Sequence, residues 1–336
     1  MTLLYILGIV FFIVVMVRIM NVINLSEELS GETPDEQIAR ETPINAMGLL
    51  IFLGIGLILF FVTIKAYMPY MLPEAASVHG KQTDFLLDVN FIIIIAVFVL
   101  TQIALFWFVW KYKYRKGEKA YYYPHNNTIE VIWTVAPTIV LAGLLITGLK
   151  SWNEITDNQR KDGMNVQIYS KQFNFVTRYS GKDNTLGQSY FMNISDDNPL
   201  GVKKEAAAMD DKIANELHLV VNKPVMLHMN SQDVIHSMYL PHFRTQMNAV
   251  PGMTTTFYFV PTITTSEMRR KLNNPKFDYV LLCNKICGVS HYLMNMKVVV
   301  ESPAEFKVWL AGQKNVFAAD STLASGSATT QPLTIN

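Results

Sequence analysis

The sequence predicts a membrane anchor of about four helices followed by an all-β domain. Three observations carry the prediction. Half of the 336 residues are hydrophobic, more than a soluble protein of this length needs for its core. Before residue 150 these residues fall in long uninterrupted runs, which suit membrane helices. After Met164 they alternate with polar residues, which suits half-buried strands. A formal net charge of +1 gives no general attraction to nucleic acid. Two cysteines cannot staple a chain this long, so its stability must come from bilayer insertion and an ordinary core.

The first run, Leu3 to Val17, is broken only by Gly8 and closed by Arg18, which can snorkel to the interface. Nothing basic precedes it and no Ala-x-Ala pattern follows, so it reads as a retained helix rather than a signal peptide. Asn24 to Thr42, rich in Glu and Asp, reads as a solvated loop. Ala46 to Ile64 forms a second span. After a loop from Pro69 to Asp84, Phe91 to Trp110 forms a third that ends in Phe106, Trp107, Phe108 and Trp110. Lys111, Lys113, Arg115, Lys116 and Lys119 follow at once, and a short basic loop between spans belongs on the cytoplasmic side. The fourth span, Val131 to Leu149, then delivers the rest of the chain to the opposite face. The predicted spans lie near 3–20, 45–65, 89–110 and 129–149, within an anchor of residues 1–150. Glu130 stands at the cytoplasmic end of the fourth span, where a carboxylate costs little and can serve as a plain anchor. Pro137 lies inside that span, where neighbouring groups can absorb the lost hydrogen bond.

In the predicted extracytoplasmic domain, residues 151–316, Val166, Ile168 and Tyr169, then Phe173, Phe175 and Val176, begin a series of short strands. Leu217 to Val221, Val225 to Met229, Thr254 to Val260, Asp278 to Leu282 and Met296 to Val300 continue it. Gly201 to Asn215 reads as an insertion with a helical turn, and Trp309 lies in a short terminal helix. The Ser- and Thr-rich tail, 317–336, lacks the apolar content to pack and is expected to be disordered.

Chemistry concentrates between Cys283 and Met294, where two thiols, His291 and a thioether share one loop. Cys, His and Met are the ligands that select copper over magnesium or calcium. Cys283 and Cys287 are four apart and can turn both sulfurs inward, with Gly288 freeing the backbone after them. A blue-copper site needs one Cys with two His, so a second thiolate suits two coppers better. A disulfide and a tetrahedral zinc site completed by a second His remain alternatives; Met294 favours copper over zinc. His236 lies at the end of an apolar strand that Pro241 stops. His79, His125, His218 and His228 have no ligand-like neighbours, while His242 is ambiguous because it lies close to His236.

His236-Ser237 with Pro241, Asn248-Ala249-Val250-Pro251-Gly252 and the Cys283 to Met294 loop resemble subunit II of the haem–copper cytochrome c oxidases. Glu130-Val131-Ile132-Trp133-Thr134-Val135-Ala136-Pro137 is similar to that family's second transmembrane helix. The resemblance covers roughly residues 89 to 311 and implies a two-helix anchor carrying a cupredoxin-like, Greek-key β domain. The two helices before residue 70 and the tail fall outside the pattern.

The resemblance also implies a binuclear CuA centre of two copper ions bridged by Cys283 and Cys287. His236 and Met294 would complete one copper; His291 and the carbonyl of Lys285 would complete the other. Electrons from a cytochrome c or a cytochrome domain would pass to subunit I, where oxygen is reduced to water. The implied surroundings are subunit I, other oxidase subunits and the lipid of a bacterial inner membrane, with the copper domain on the periplasmic side. Glu130 would sit at the mouth of a proton pathway. Phe173 stands where the family has a Trp for electron input. The lost indole at Phe173 leads to the expectation of a donor held in a complex; Lys285 replaces a Glu whose carboxylate helps hold magnesium, Asn248 an Asp, and Met253 an Arg, so the interface with subunit I is expected to be rebuilt. A quinol oxidase would lack the copper ligands, and nitrous-oxide reductase would need a second catalytic domain. A membrane-anchored copper- or zinc-binding module is the reading outside the oxidases.

Overall fold

The computed structural model describes residues 2–31, 33–157 and 159–317. Nearly all of the expected tail lies outside them. Four helices come first: α1 (Thr2–Ser30), α2 (Pro34–Tyr67), α3 (Val78–Lys111) and α4 (Asn127–Thr156). Among the described residues only α2, α3 and α4 are long and apolar enough to cross a membrane, so the expected count of about four is corrected to three. The described apolar part of α1, Val10–Ser26, is too short.

The helices also run well beyond their apolar cores. The acidic stretch expected as a loop is largely helical, because Thr33 and Glu36 cap α2: the Thr33 N–H donates to Glu36 Oε2 at 3.2 Å, and Pro34 occupies the first turn. Pro43 and Pro137 are both absorbed within continuous helices. The chain forms two compact units, residues up to Pro69 with Ile92–Glu130, and Tyr70–Phe91 with the residues from Val131 on. Within the first unit, α2 packs on α3 through Phe52 on Phe106 and Phe60 on Phe98, with ring centroids 6.1 and 5.0 Å apart.

The second unit is built on two sheets. One contains β1 (Met164–Lys171), β2 (Asn174–Tyr179), β3 (Lys212–Ala214), β5 (Val225–Ser231), β8 (Thr255–Phe259) and β11 (Lys314–Asn315), in the order β11-β3-β2-β1-β5-β8. The other contains β4 (Leu217–Val220), β6 (His236–Leu240), β7 (Thr245–Ala249), β9 (Tyr279–Cys283) and β10 (Asn295–Glu301), in the order β4-β10-β9-β6-β7. Strand β1 lies parallel to β5 and β4 parallel to β10; the other pairings are antiparallel. Alternation sends Val166, Ile168, Leu227 and Phe257 of one sheet against Leu219, Met238, Leu281 and Val298 of the other, all buried in one core.

The insertion expected around 201–215 contains a 3₁₀ turn at Ala206–Ala208 and the added strand β3. Its Leu200, Val202, Ala208 and Ile213 pack with Tyr169 in a second, smaller cluster. Two short helices, α5 (Thr265–Lys271) and α6 (Pro303–Ala311), complete the unit. The loop expected at 69–84 is half ordered against the β domain. Arg244 donates from Nε to Asp84 Oδ1 at 2.7 Å and from Nη2 to the Pro73 carbonyl at 2.6 Å, and Ser77 donates to the Phe243 carbonyl at 2.7 Å.

Candidate metal centre

Two strand ends and one loop bring the six expected ligands together. His236 opens β6 rather than ending a strand, and Cys283 ends β9 opposite Met238 of β6. The loop 284–294 is closed at its root by Cys283 N–H to the Met294 carbonyl (3.1 Å) and Asn284 N–H to the Ser237 carbonyl (2.8 Å). That pinning holds Cys287, His291 and Met294 against the strand ends.

The two sulfurs stand 3.8 Å apart as free thiols, well beyond the roughly 2.05 Å of a disulfide. His236 Nδ1 is 3.8 Å and the Lys285 carbonyl oxygen 3.2 Å from Cys283 Sγ. His291 Nδ1 is 3.6 Å and Met294 Sδ 3.7 Å from Cys287 Sγ. The metal-binding atoms of His236, Cys283 and Cys287 all lie within 4.8 Å of one another. Burial, followed by the neighbouring Cys283 sulfur, pushes the Cys287 thiol up to about 11. A metal binding there must therefore displace protons.

The donor count separates the alternatives. A metal–thiolate bond of about 2.3 Å lets an ion on either side of the S···S line touch both sulfurs. Two ions would find six donors here, the two thiolates, two imidazoles, a thioether and a carbonyl. A single tetrahedral zinc would leave Met294 and the Lys285 carbonyl unused. The residues present fit a copper pair.

The surrounding contacts were not legible as such in the sequence. His236 Nε2 is 2.8 Å from Asp233 Oδ1, which leaves Nδ1 facing the sulfurs. Burial works against the Asp233 charge, but hydrogen bonds from the Gln172 N–H, the His236 ring and the Val234 N–H outweigh it and hold the carboxyl below the usual range. The Gln172 side chain reaches the Cys287 carbonyl at 2.5 Å. Gln172 thus ties the β1–β2 turn to both halves of the site. Gly288 is left-handed at φ +143°, and a Cβ there would stand 2.9 Å from the half-buried Phe173 ring, so a close approach requires glycine. The only sequence signals for Gln172 and Asp233 are their positions beside Phe173 and before His236.

The other expected residues lie elsewhere. Glu130 belongs to the first turn of α4, where Oε1 accepts from the Asn126 N–H at 3.4 Å. His242 packs edge-on against Phe277 and Tyr279, and burial lowers it to about 4. His218 stacks on Trp309 at 3.7 Å between Glu216 and Glu301.

Family comparison matches residues 64–151 to the transmembrane domain of cytochrome c oxidase subunit II and residues 164–302 to its periplasmic domain. The chain belongs to the cytochrome c oxidase subunit II family. An alternative cytochrome c oxidase subunit 2 of Bradyrhizobium diazoefficiens is 32% identical over 79% of this chain and 91% of that protein. A cytochrome c oxidase subunit 2 of Thermostichus vulcanus is 25% identical over 71% and 77%. Among solved structures, the periplasmic domain of subunit II from Bradyrhizobium japonicum covers 47% of this chain and 99% of that one, at 22% identity and a TM-score of 0.33. As a cytochrome c oxidase subunit II, the chain is the electron-input subunit of a haem–copper terminal oxidase. It is a membrane protein whose periplasmic β domain belongs to a copper-binding family. The matched transmembrane domain begins at residue 64, so α1 and most of α2 precede it.

Proposed function

We propose that this subunit holds a binuclear CuA centre on His236, Cys283, Lys285, Cys287, His291 and Met294, carried by a cupredoxin-like domain that begins near residue 151. The observation that supports it is the convergence of two sulfurs with two imidazoles, a thioether and a carbonyl at one loop root. Two copper ions there supply one-electron redox chemistry. The chain supplies rigidity: β6 and β9 fix His236 and Cys283, Asp233 orients the His236 ring, and Gln172 holds the Cys287 carbonyl. Little then has to move when charge changes. Only the carbonyl of Lys285 can ligate, because an ammonium has no lone pair to give a metal ion.

Phe173, against Gly288 beside Cys287, is the proposed electron-input ring, and the donor is a cytochrome c or a cytochrome domain. Subunit I is the acceptor, and the membrane is the bacterial inner membrane. Glu130 is proposed at the mouth of a proton pathway. Glu130→Gln keeps its shape and removes its proton; turnover unchanged across pH would return it to capping α4. The central test is the near-infrared and EPR spectrum of the copper-loaded full chain. A mixed-valence signal from one electron shared by two coppers supports the reading, whereas a blue-copper spectrum or zinc binding in its place rejects it.

A further inference from the structure

The outward face of the six-stranded sheet carries a polar row that the copper site does not use. Arg178 on β2, Gln167 on β1 and His228 on β5 are neighbours in register. All three line an open cavity of about 670 Å³ whose rim includes Arg160, Lys161 and Thr254. Arg178 and Gln167 are 1% and 5% exposed, yet neither is satisfied. Arg178 donates from Nη2 to the Gly187 carbonyl at 2.7 Å, and its Nη1 lies 3.3 Å from Asp211 Oδ2. Its Nε and Nη1 have no hydrogen-bond partner among the described residues. Gln167 donates to Asn230 at 2.7 Å, but its Oε1 accepts nothing.

Buried polar atoms without partners are costly, so such a cluster beside a cavity marks a place where water or another molecule completes the bonding. The charge of the lining selects that molecule. Arg178 is paired with the buried Asp211, and two further cations, Arg160 and Lys161, face one acid, Asp183. Asp211 is committed to Arg178 and Gly187. The Arg160 guanidinium lies 4.2 Å over the Tyr258 ring, which leaves its edge free to donate. Several unspent donors beside the unspent Gln167 Oε1 match an oxyanion that also carries a hydroxyl.

We propose that this cavity binds a small phosphate species, either hydrogen phosphate or a phosphate monoester. Arg178 and the Arg160 and Lys161 pair contact its oxygens, and Gln167 Oε1 accepts from the P–OH of hydrogen phosphate, or of the monoester's monoanion, the minority form at pH 7. Sulfate has the same shape but no proton to donate at neutral pH, so it binds more weakly.

The test is equilibrium dialysis of the assembled oxidase with labelled orthophosphate, with glycerol 3-phosphate and sulfate as competitors. Arg178 is buried and its replacement can unfold the domain, so the deciding variant is the exposed pair Arg160→Ala with Lys161→Ala. One saturable phosphate per subunit is expected, weakened about tenfold or more in the double variant, with the copper spectrum unchanged. Competition by glycerol 3-phosphate identifies a monoester site, and its failure identifies a site for free phosphate. Gln167→Leu is expected to remove the preference for phosphate over sulfate. Absence of saturable binding at millimolar phosphate, or binding that is the same in the double variant, overturns the proposal.

Discussion

The membrane helices and the β domain contain similar kinds of apolar side chain and place them in opposite ways. Leu141 of α4 is 63% exposed and Leu100 of α3 68%, whereas Leu219 and Leu227 of the β domain are 0% exposed. In the helices the apolar surface is exposed, as suits a lipid environment, and backbone bonding is satisfied within each segment. In the β domain the same groups are consumed by a core between two sheets. The difference explains where the redox site stands. A site whose donors must stay within a few tenths of an ångström needs a scaffold that closes on itself.

The largest effect expected from this contrast is at the closed site. If Cys283 bridges two coppers as proposed, Cys283→Ser should abolish the two-copper spectrum entirely. A surviving mixed-valence EPR signal would mean that the sulfur does not bridge.

Matched leucine truncations sharpen the contrast directly. Leu219→Ala should destabilise the β domain by about 2–5 kcal/mol in denaturant unfolding. Leu141→Ala should change the same transition by less than about 0.5 kcal/mol. Equal losses would show that the β domain depends on the helices for its stability.

Asp233→Ala tests whether the support around the site matters as much as its ligands. With the His236 ring no longer held, copper affinity should fall about 10–100-fold in a competitive chelator titration while the β domain stays folded. Unaltered affinity would leave Asp233 as a surface acid only.

The smallest effect concerns the α6 end of the domain. The hydrogen bond from His218 holds the Glu216 carboxyl below its ordinary range, partly offset by burial and aided by Lys297. A carboxyl lowered in the folded state contributes stability above its unfolded value, about 4.3, and loses that contribution as pH falls through the folded value. Glu216 is 41% exposed, so the contribution is screened and well under about 1 kcal/mol. Glu216→Gln should therefore flatten the acid limb of the stability profile slightly, measured as unfolding midpoint against pH. An unchanged limb would assign it to other carboxylates.

The sequence by itself determined the order of the molecule. Hydrophobic runs, the basic loop after Trp110 and the change of period at Met164 are local signals, and each was readable because a helix or strand is chosen by residues close along the chain. The copper loop was equally plain, since Cys283, Cys287, His291 and Met294 need only one turn of chain to meet. Local reading failed at element ends, where the Thr33–Glu36 cap made helix of an acidic loop.

Tertiary structure decided what depends on distant residues. It put His236 beside a cysteine 47 positions later, turned Asp233 inward onto that ring, and brought Gln172 to the Cys287 carbonyl across 115 residues. It also gathered Arg178, Gln167 and His228 in one row through strand register. No periodicity encodes such neighbours, because strand pairing is fixed by the packing of whole faces rather than by the residues that happen to meet.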